Sequence, residues 1–191
     1  MSTSDRDRWD HIYKGRTGEP APPPDPLLLH YAPPVFQRGE PPAALDLACG
    51  VGQNGLWLAE QGYVVDLVDI SRTALMQAKD EAARRGLRTV NFLQIDLEAP
   101  ALERDRYDLV CVFRYLQRDL MSAIRAAVKP GGRIIYQTYN TRRLDAQPDA
   151  NPAYLLSLGE LVGYFGDWRV LRSAEPEALS QLVAVKPERR A

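Results

Sequence analysis

Asp46, Gly50, Gly52, Gly55 and Asp69 are the residues of this chain whose types and spacing imply chemistry most directly. Asp46 sits in a short apolar run, Ala43-Ala44-Leu45-Asp46-Leu47, of a length suited to a buried strand. The glycines follow, then a helical pattern carrying Leu56, Ala59 and Glu60 that stops at Gly62, then a second apolar run, Val64 to Val68, closed by Asp69. Gly50 and Gly52 let the backbone turn tightly and approach a ligand at a helix N-terminus. Asp69, nineteen residues after Gly50, stands where an acid grips a ribose diol. This strand-loop-helix-strand unit reads as a nucleoside-cofactor site.

Gly50-x-Gly52-x-x-Gly55 also satisfies the dinucleotide pattern, and charge separates the two readings. A dinucleotide brings two phosphate charges to the loop, where Asp46 would repel them. The same acid suits an ammonium, and S-adenosylmethionine (SAM) offers one together with a ribose for Asp69. Asp46-x-Ala48-Cys49-Gly50-x-Gly52, followed by an acid-terminated strand, resembles motif I and its successor in class I SAM-dependent methyltransferases. The resemblance implies that Asp46, Gly50 and Gly52 hold the methionyl end, and Asn54 is a further candidate for cofactor binding. Asp69 would take the ribose, and Ile70 would pack on the adenine. Asp96, with the Leu97 backbone beside it, would accept from the adenine amino group, and Phe113 would wall the cofactor.

Composition sets the bounds. A chain of 191 residues, 45% hydrophobic, is enough for one sizeable core. A formal net charge of -1 without runs of like charge argues against nonspecific nucleic-acid binding and in favour of small or protein acceptors. Cys49 and Cys111 form neither a disulfide framework nor a zinc pattern and read as small buried residues of a reducing compartment. No signal segment and no apolar stretch of membrane-spanning length is evident, so a soluble cytoplasmic protein, away from membranes, is expected.

The elements that must position these residues follow in order. Residues 4 to 15 predict a short helix with a cap at Ser4 and a stop at Gly15, placing Trp9, Ile12 and Tyr13 on one face. That face either docks the helix on the domain or serves as a lid. Trp9-Asp10-x-x-Tyr13 resembles the N-terminal signature of tellurite-resistance and thiopurine-type methyltransferases, which places Trp9 and Tyr13 among the cofactor contacts. Nine prolines in residues 20 to 42 allow one short helix, capped by Asp25, inside a semi-rigid connection. Residues 1–42 are therefore expected to form a lid and its connection, and 43–191 the SAM-binding domain.

Ser71 caps a helix with Leu75, Ala78 and Ala82 on one face, ending at Gly86. Val90 to Ile95, Tyr107 to Phe113 and Arg133 to Tyr139 read as further strands, the last preceded by a stop at Lys129-Pro130-Gly131-Gly132. Ser157 and Glu160 predict a capping box for a helix through Phe165. Trp168 to Ser173 and Leu182 to Val185 lack room for a helix between them and must run antiparallel. The expectation is an α/β fold: a Rossmann-like, doubly wound, seven-stranded, mostly parallel sheet with a C-terminal antiparallel hairpin.

Arg114, Arg118 and Asn140 are the candidates for holding an acceptor, with Tyr115 as a further aromatic beside the sulfonium. Neither the Asn/Asp-Pro-Pro-aromatic motif nor the Pro-Cys motif of nucleobase methyltransferases is present. Strand four lacks a terminal acid for magnesium, so no metal is expected. Gln137-Thr138 stands where the resemblance leads one to expect Glu-Thr, which removes a base from that position. His11 and His30 read as surface or satisfied residues. The reading is SAM-dependent methyl transfer to a small-molecule nucleophile, its acceptor atom S, O, N or a chalcogen. An NAD(P)-binding oxidoreductase and a noncatalytic SAM-binding module are the alternatives.

Overall fold

A computed structural model describes residues 3–36, 39–98 and 102–189. Their strands stand in the order β3-β2-β1-β4-β5-β7-β6 of one seven-stranded sheet, where β1 is Ala43–Leu47, β2 Val64–Asp69, β3 Val90–Gln94, β4 Tyr107–Phe113, β5 Val128–Tyr139, β6 Arg169–Ala174 and β7 Leu179–Val185. The α/β fold with its C-terminal antiparallel pair is as the sequence predicts. The chain divides into two compact units, Met1–Ala101 and Leu102–Ala191.

In the first unit, β1 runs parallel to β2 with Ala43 opposite Val64, and β2 parallel to β3 with Asp69 opposite Gln94. Leu45, Leu47, Leu56, Leu58 and Leu67 are completely buried, each contributing about 1.5–3 kcal/mol by leaving water. Helix α3, Gln53–Glu60, starts from Gly52, and helix α4, Arg72–Arg84, from Ser71, whose hydroxyl accepts from the Ala74 N–H at 3.1 Å. Helix α1, Thr3–Lys14, begins one residue before the expected cap and ends at Gly15. Helix α2, Pro26–Tyr31, forms as predicted: Asp25 accepts from Leu27 N–H at 2.9 Å, and Leu27 and Leu28 are buried.

In the second unit, β4 and β5 are parallel, and β7 lies antiparallel to both β5 and β6. Helix α5, Met121–Ala127, buries Met121, Ile124 and Ala127. Two expectations are corrected here. Helix α5 does end just before Lys129 to Gly132, but these residues already belong to β5, whose expected start is Arg133: the Gly131 N–H donates to Lys186 O and Gly132 O accepts from the Lys186 N–H, both at 2.9 Å. The register against β4 slips from Tyr107↔Val128 to Leu109↔Arg133, so the turn residues become a bulge inside the strand.

The predicted helix through Phe165 shrinks to one turn, α7, Glu160–Gly163, after a short α6, Arg143–Ala146. Glu160 does accept from Ser157 N–H at 2.9 Å, half of the expected box, yet the turn is entered from Gly159 at φ +80°. Beyond Gly163, the N–H groups of Tyr164 and Phe165 bond three residues back, and buried Phe165 packs edge-on against Trp168 with ring centroids 5.1 Å apart. That packing bends the chain into turns.

Candidate active site

The loop after β1 takes its shape from left-handed backbone, which favours glycine. Ala48, Gly50 and Gly52 have φ of 55°, 56° and 76°. Gly52 N–H donates to Cys49 O at 2.9 Å, closing the turn, and α3 starts there. A Cβ on Gly52 would meet Leu67 at 2.9 Å and Ala78 at 3.1 Å, so bare backbone is required where α3 and α4 press on β2. Both cysteines are free thiols, and Cys49 is buried within the loop.

Two carboxylates grip this loop from below. Asp46, 1% exposed, accepts the Gly55 N–H at 2.8 Å. Asp69 accepts the Gly50 N–H at 2.7 Å through one oxygen and the Ser71 N–H at 2.8 Å through the other. Burial raises the Asp69 carboxyl above the ordinary carboxylate range, only partly offset by these backbone donors, and nearby Asp10 adds to the rise. Beside Asp69, Ile70 is buried and its carbonyl accepts from the Gln94 amide at 3.0 Å. Past β3, Asp96 accepts from Glu98 N–H at 3.0 Å, and Leu97 is buried. Asp46, Asp69 and Asp96 thus serve three adjacent parallel strands, the latter two at or just past the carboxyl ends.

Helix α1 is laid against the glycine loop. Its Trp9 and Tyr13 rings stack with centroids 6.1 Å apart. A Cβ on Gly50 would lie 2.5 Å from the Tyr13 hydroxyl oxygen. Burial, reinforced by Asp69, pushes the Tyr13 phenol well above its usual value, so it stays protonated and able to donate. Three contacts escape sequence reasoning: Asp10 accepts the Ser71 hydroxyl at 2.6 Å and the Thr73 N–H at 2.9 Å, and the Gln77 amide donates to Tyr13 O at 2.9 Å. Asp10 was visible only as part of the Trp9-to-Tyr13 signature. Asn54 accepts the Asp25 N–H at 2.8 Å, fastening the proline-rich connection to α3.

The second unit holds the remaining candidates. Phe113 is half-buried at the end of β4. Arg114 follows with φ 57° and an exposed side chain, its N–H donating to Gln137 O at 2.7 Å. Arg118 donates to both Glu160 carboxylate oxygens, at 2.7 and 3.0 Å, and to Ala153 O and Leu155 O, each at 2.9 Å. Its guanidinium therefore clasps the 153–160 segment. Asn140 is fully buried, accepts from Arg142 N–H at 3.0 Å and bridges in parallel to Leu156. Gln137 accepts from the Gln181 amide at 2.6 Å, and the Tyr136 hydroxyl donates to Tyr115 O at 2.9 Å. Arg143 stacks 3.7 Å over Tyr139.

The donors and acceptors of the first unit fit SAM. Buried carboxylates around a glycine loop oppose a diphosphate and suit hydroxyls and an ammonium. Residues 44–132 match the family model described as a methyltransferase domain. The chain is 33% identical over 153 residues to Hemagglutinin 1 of Eikenella corrodens, spanning 76% of this chain and 50% of that protein. It is 34% identical over 122 residues to the ubiquinone biosynthesis O-methyltransferase of Alkalilimnicola ehrlichii, spanning 61% and 49% respectively. The chain thus spans about half the length of these curated relatives. Among solved structures, TehB from Haemophilus influenzae superposes with a TM-score of 0.73 at 18% identity, covering 93% of this chain and 67% of that one. A protein of echinomycin biosynthesis superposes at 0.72 with 22% identity, covering 98% and 94%. Residues 44–132 thus resemble a methyltransferase domain, and the chain shares its fold with these solved structures.

Proposed function

We propose that this protein is an S-adenosylmethionine-dependent methyltransferase acting on a small-molecule nucleophile. The observation that carries the reading is the pair of buried carboxylates: Asp69 holds the glycine loop through Gly50, and Asp46 holds the first turn of α3 through Gly55. Bound there, SAM supplies an electrophilic methyl group on a sulfonium. Asp69 takes the ribose hydroxyls and Asp46 faces the methionyl ammonium, with Gly50, Gly52 and Asn54 shaping the loop between them. Ile70, Asp96 and Leu97 enclose the adenine.

Residues 1–42 act as a lid with its connection, and 43–191 as the catalytic body. Trp9 and Tyr13 exclude water from the sulfonium and face it with aromatic surface that does not react with it. Arg114 orients the acceptor, Asn140 braces the backbone after β5 through its bond from Arg142 N–H, and Arg118 fixes the segment bearing exposed Tyr154 and Leu158. A carboxamide at Gln137 cannot take a proton from the acceptor. No metal is required, and the protein works in the cytoplasm without nucleic acid. The described residues include no helix long and apolar enough to cross a membrane.

The test is transfer of a labelled methyl group from SAM to a panel of thiols, phenols, amines and chalcogen oxyanions. Turnover of at least one small acceptor is expected. Absence of transfer to every class, with SAM bound, would favour the noncatalytic module.

A further inference from the structure

We propose that Asp10 is a positioning residue for the cofactor site: its carboxylate docks α1, and Tyr13 with it, against the glycine loop, and Ser71 couples that docking to the ribose held by Asp69. The coupling rests on the reading of Asp69 as the ribose acid; the docking does not.

The argument begins at the N-terminus of α4. This helix runs thirteen residues and has no acid in its first turn to meet its exposed N–H groups. Its cap, Ser71, takes the Ala74 N–H through the hydroxyl oxygen, leaving Thr73 N–H to another acceptor. Asp10, sixty-three positions earlier, is that acceptor at 2.9 Å, and the same oxygen receives the Ser71 hydroxyl proton at 2.6 Å. The charge that α4 lacks is therefore supplied by α1. Charge-assisted bonds of this kind are roughly twice as strong as neutral ones.

Ser71 stands between two carboxylates. Its hydroxyl donates to Asp10 and its N–H to Asp69, whose other oxygen holds Gly50. A continuous set of hydrogen bonds thus joins the glycine loop to α1. One turn beyond Asp10, the Tyr13 carbonyl accepts from Gln77 of α4, and the Tyr13 hydroxyl faces Gly50. Fixing Asp10 fixes the angle at which Tyr13 meets the loop. Recruiting Asp69 to ribose hydroxyls alters its hold on Ser71 N–H, the group next to the docking bond.

The experiment combines amide hydrogen exchange of the ligand-free full chain with calorimetric binding of S-adenosylhomocysteine, for wild type, Asp10→Ala, Asp10→Asn and Ser71→Ala. In Asp10→Ala the amides of residues 5–15 should exchange faster by on the order of tenfold, while those of β1 to β3 keep their protection. Asp10→Asn, which retains an acceptor oxygen, should recover much of the difference. Affinity for S-adenosylhomocysteine should fall by on the order of tenfold in Asp10→Ala, and Ser71→Ala should add little when combined with it. Unchanged exchange in α1 would overturn the docking. A loosened α1 with wild-type affinity would overturn the coupling. Failure of wild type to bind would overturn the cofactor reading and the coupling with it, while the exchange data still decide the docking. Should Asp10→Ala not fold, partial loosening of α1 in Asp10→Asn carries the same decision.

Discussion

The Asp69 carboxylate accepts the Gly50 N–H at 2.7 Å, so the acid that ends β2 holds the turn that leaves β1. Loop shape, and the ribose recognition proposed above, thereby depend on one side chain. Asp69→Ala should weaken S-adenosylhomocysteine binding by about 1–3 kcal/mol, the range for leaving a hydrogen-bonded polar group unpaired. Calorimetry on the folded variant checks this, and wild-type affinity would contradict the placement of the ribose.

Asp10 and Asp69 predict opposite responses to acid. Burial works to raise the Asp10 carboxyl, but the Ser71 hydroxyl, Thr73 and Lys14 prevail and hold it below its ordinary value of 3.8. A folded-state value below the unfolded one means stabilisation present above the unfolded value and lost as pH falls through the folded one. The melting-temperature advantage of wild type over Asp10→Asn should therefore be full at neutral pH and fade below about pH 4. The Asp69 carboxyl is raised, chiefly by burial. Its contribution is present below the unfolded value and lost as pH rises, so wild type should gain on Asp69→Asn as the solution is acidified. Parallel thermal melts from pH 3 to 7 would show both trends or refute them.

Much of the cofactor loop is legible in the sequence because its logic is local. Asp46, Gly50, Gly52, Gly55 and Ser71 lie within one strand-loop-helix-strand unit and its successor, and local spacing determines the strand ends and caps. What sequence reasoning cannot reach is contact over long separations. Asp10 meets Ser71 sixty-one positions away, and Arg118 meets Glu160 across forty-two. Neither pair has a periodicity to reveal it. The Gly131–Gly132 stretch misleads for a related reason: turn chemistry is overridden when Lys186 offers the bulged backbone its partners.

Arg118→Ala should release the 153–160 segment. The ion pair with Glu160 is partly exposed, with the arginine side chain at 39%, so the global cost should stay near ~1 kcal/mol. The larger effect should appear as a several-fold rise in acceptor KM with S-adenosylhomocysteine affinity unchanged. A loss of cofactor affinity instead would assign Arg118 a different role.

Replacing Trp9 and Tyr13 together by alanine should cut methyl transfer by on the order of tenfold or more, because aromatic cover excludes water and aligns the acceptor. The melting temperature should fall by only a few degrees, since Asp10 and Gln77 still tie α1 to α4. A double variant that cannot fold would make these rings core residues.

Chelation should leave turnover unchanged. Among the described residues no group of three or more histidines, cysteines or acids is arranged to hold a metal ion. Activity lost in EDTA and restored by magnesium would revive a metal-dependent acceptor chemistry.

The most direct measurement is calorimetric titration of the purified protein with SAM, S-adenosylhomocysteine and NADH in turn. The carboxylates of Asp46 and Asp69 beneath the glycine loop predict saturable binding of the first two and no heat from the third. Saturable heat with NADH and none with SAM would contradict the account.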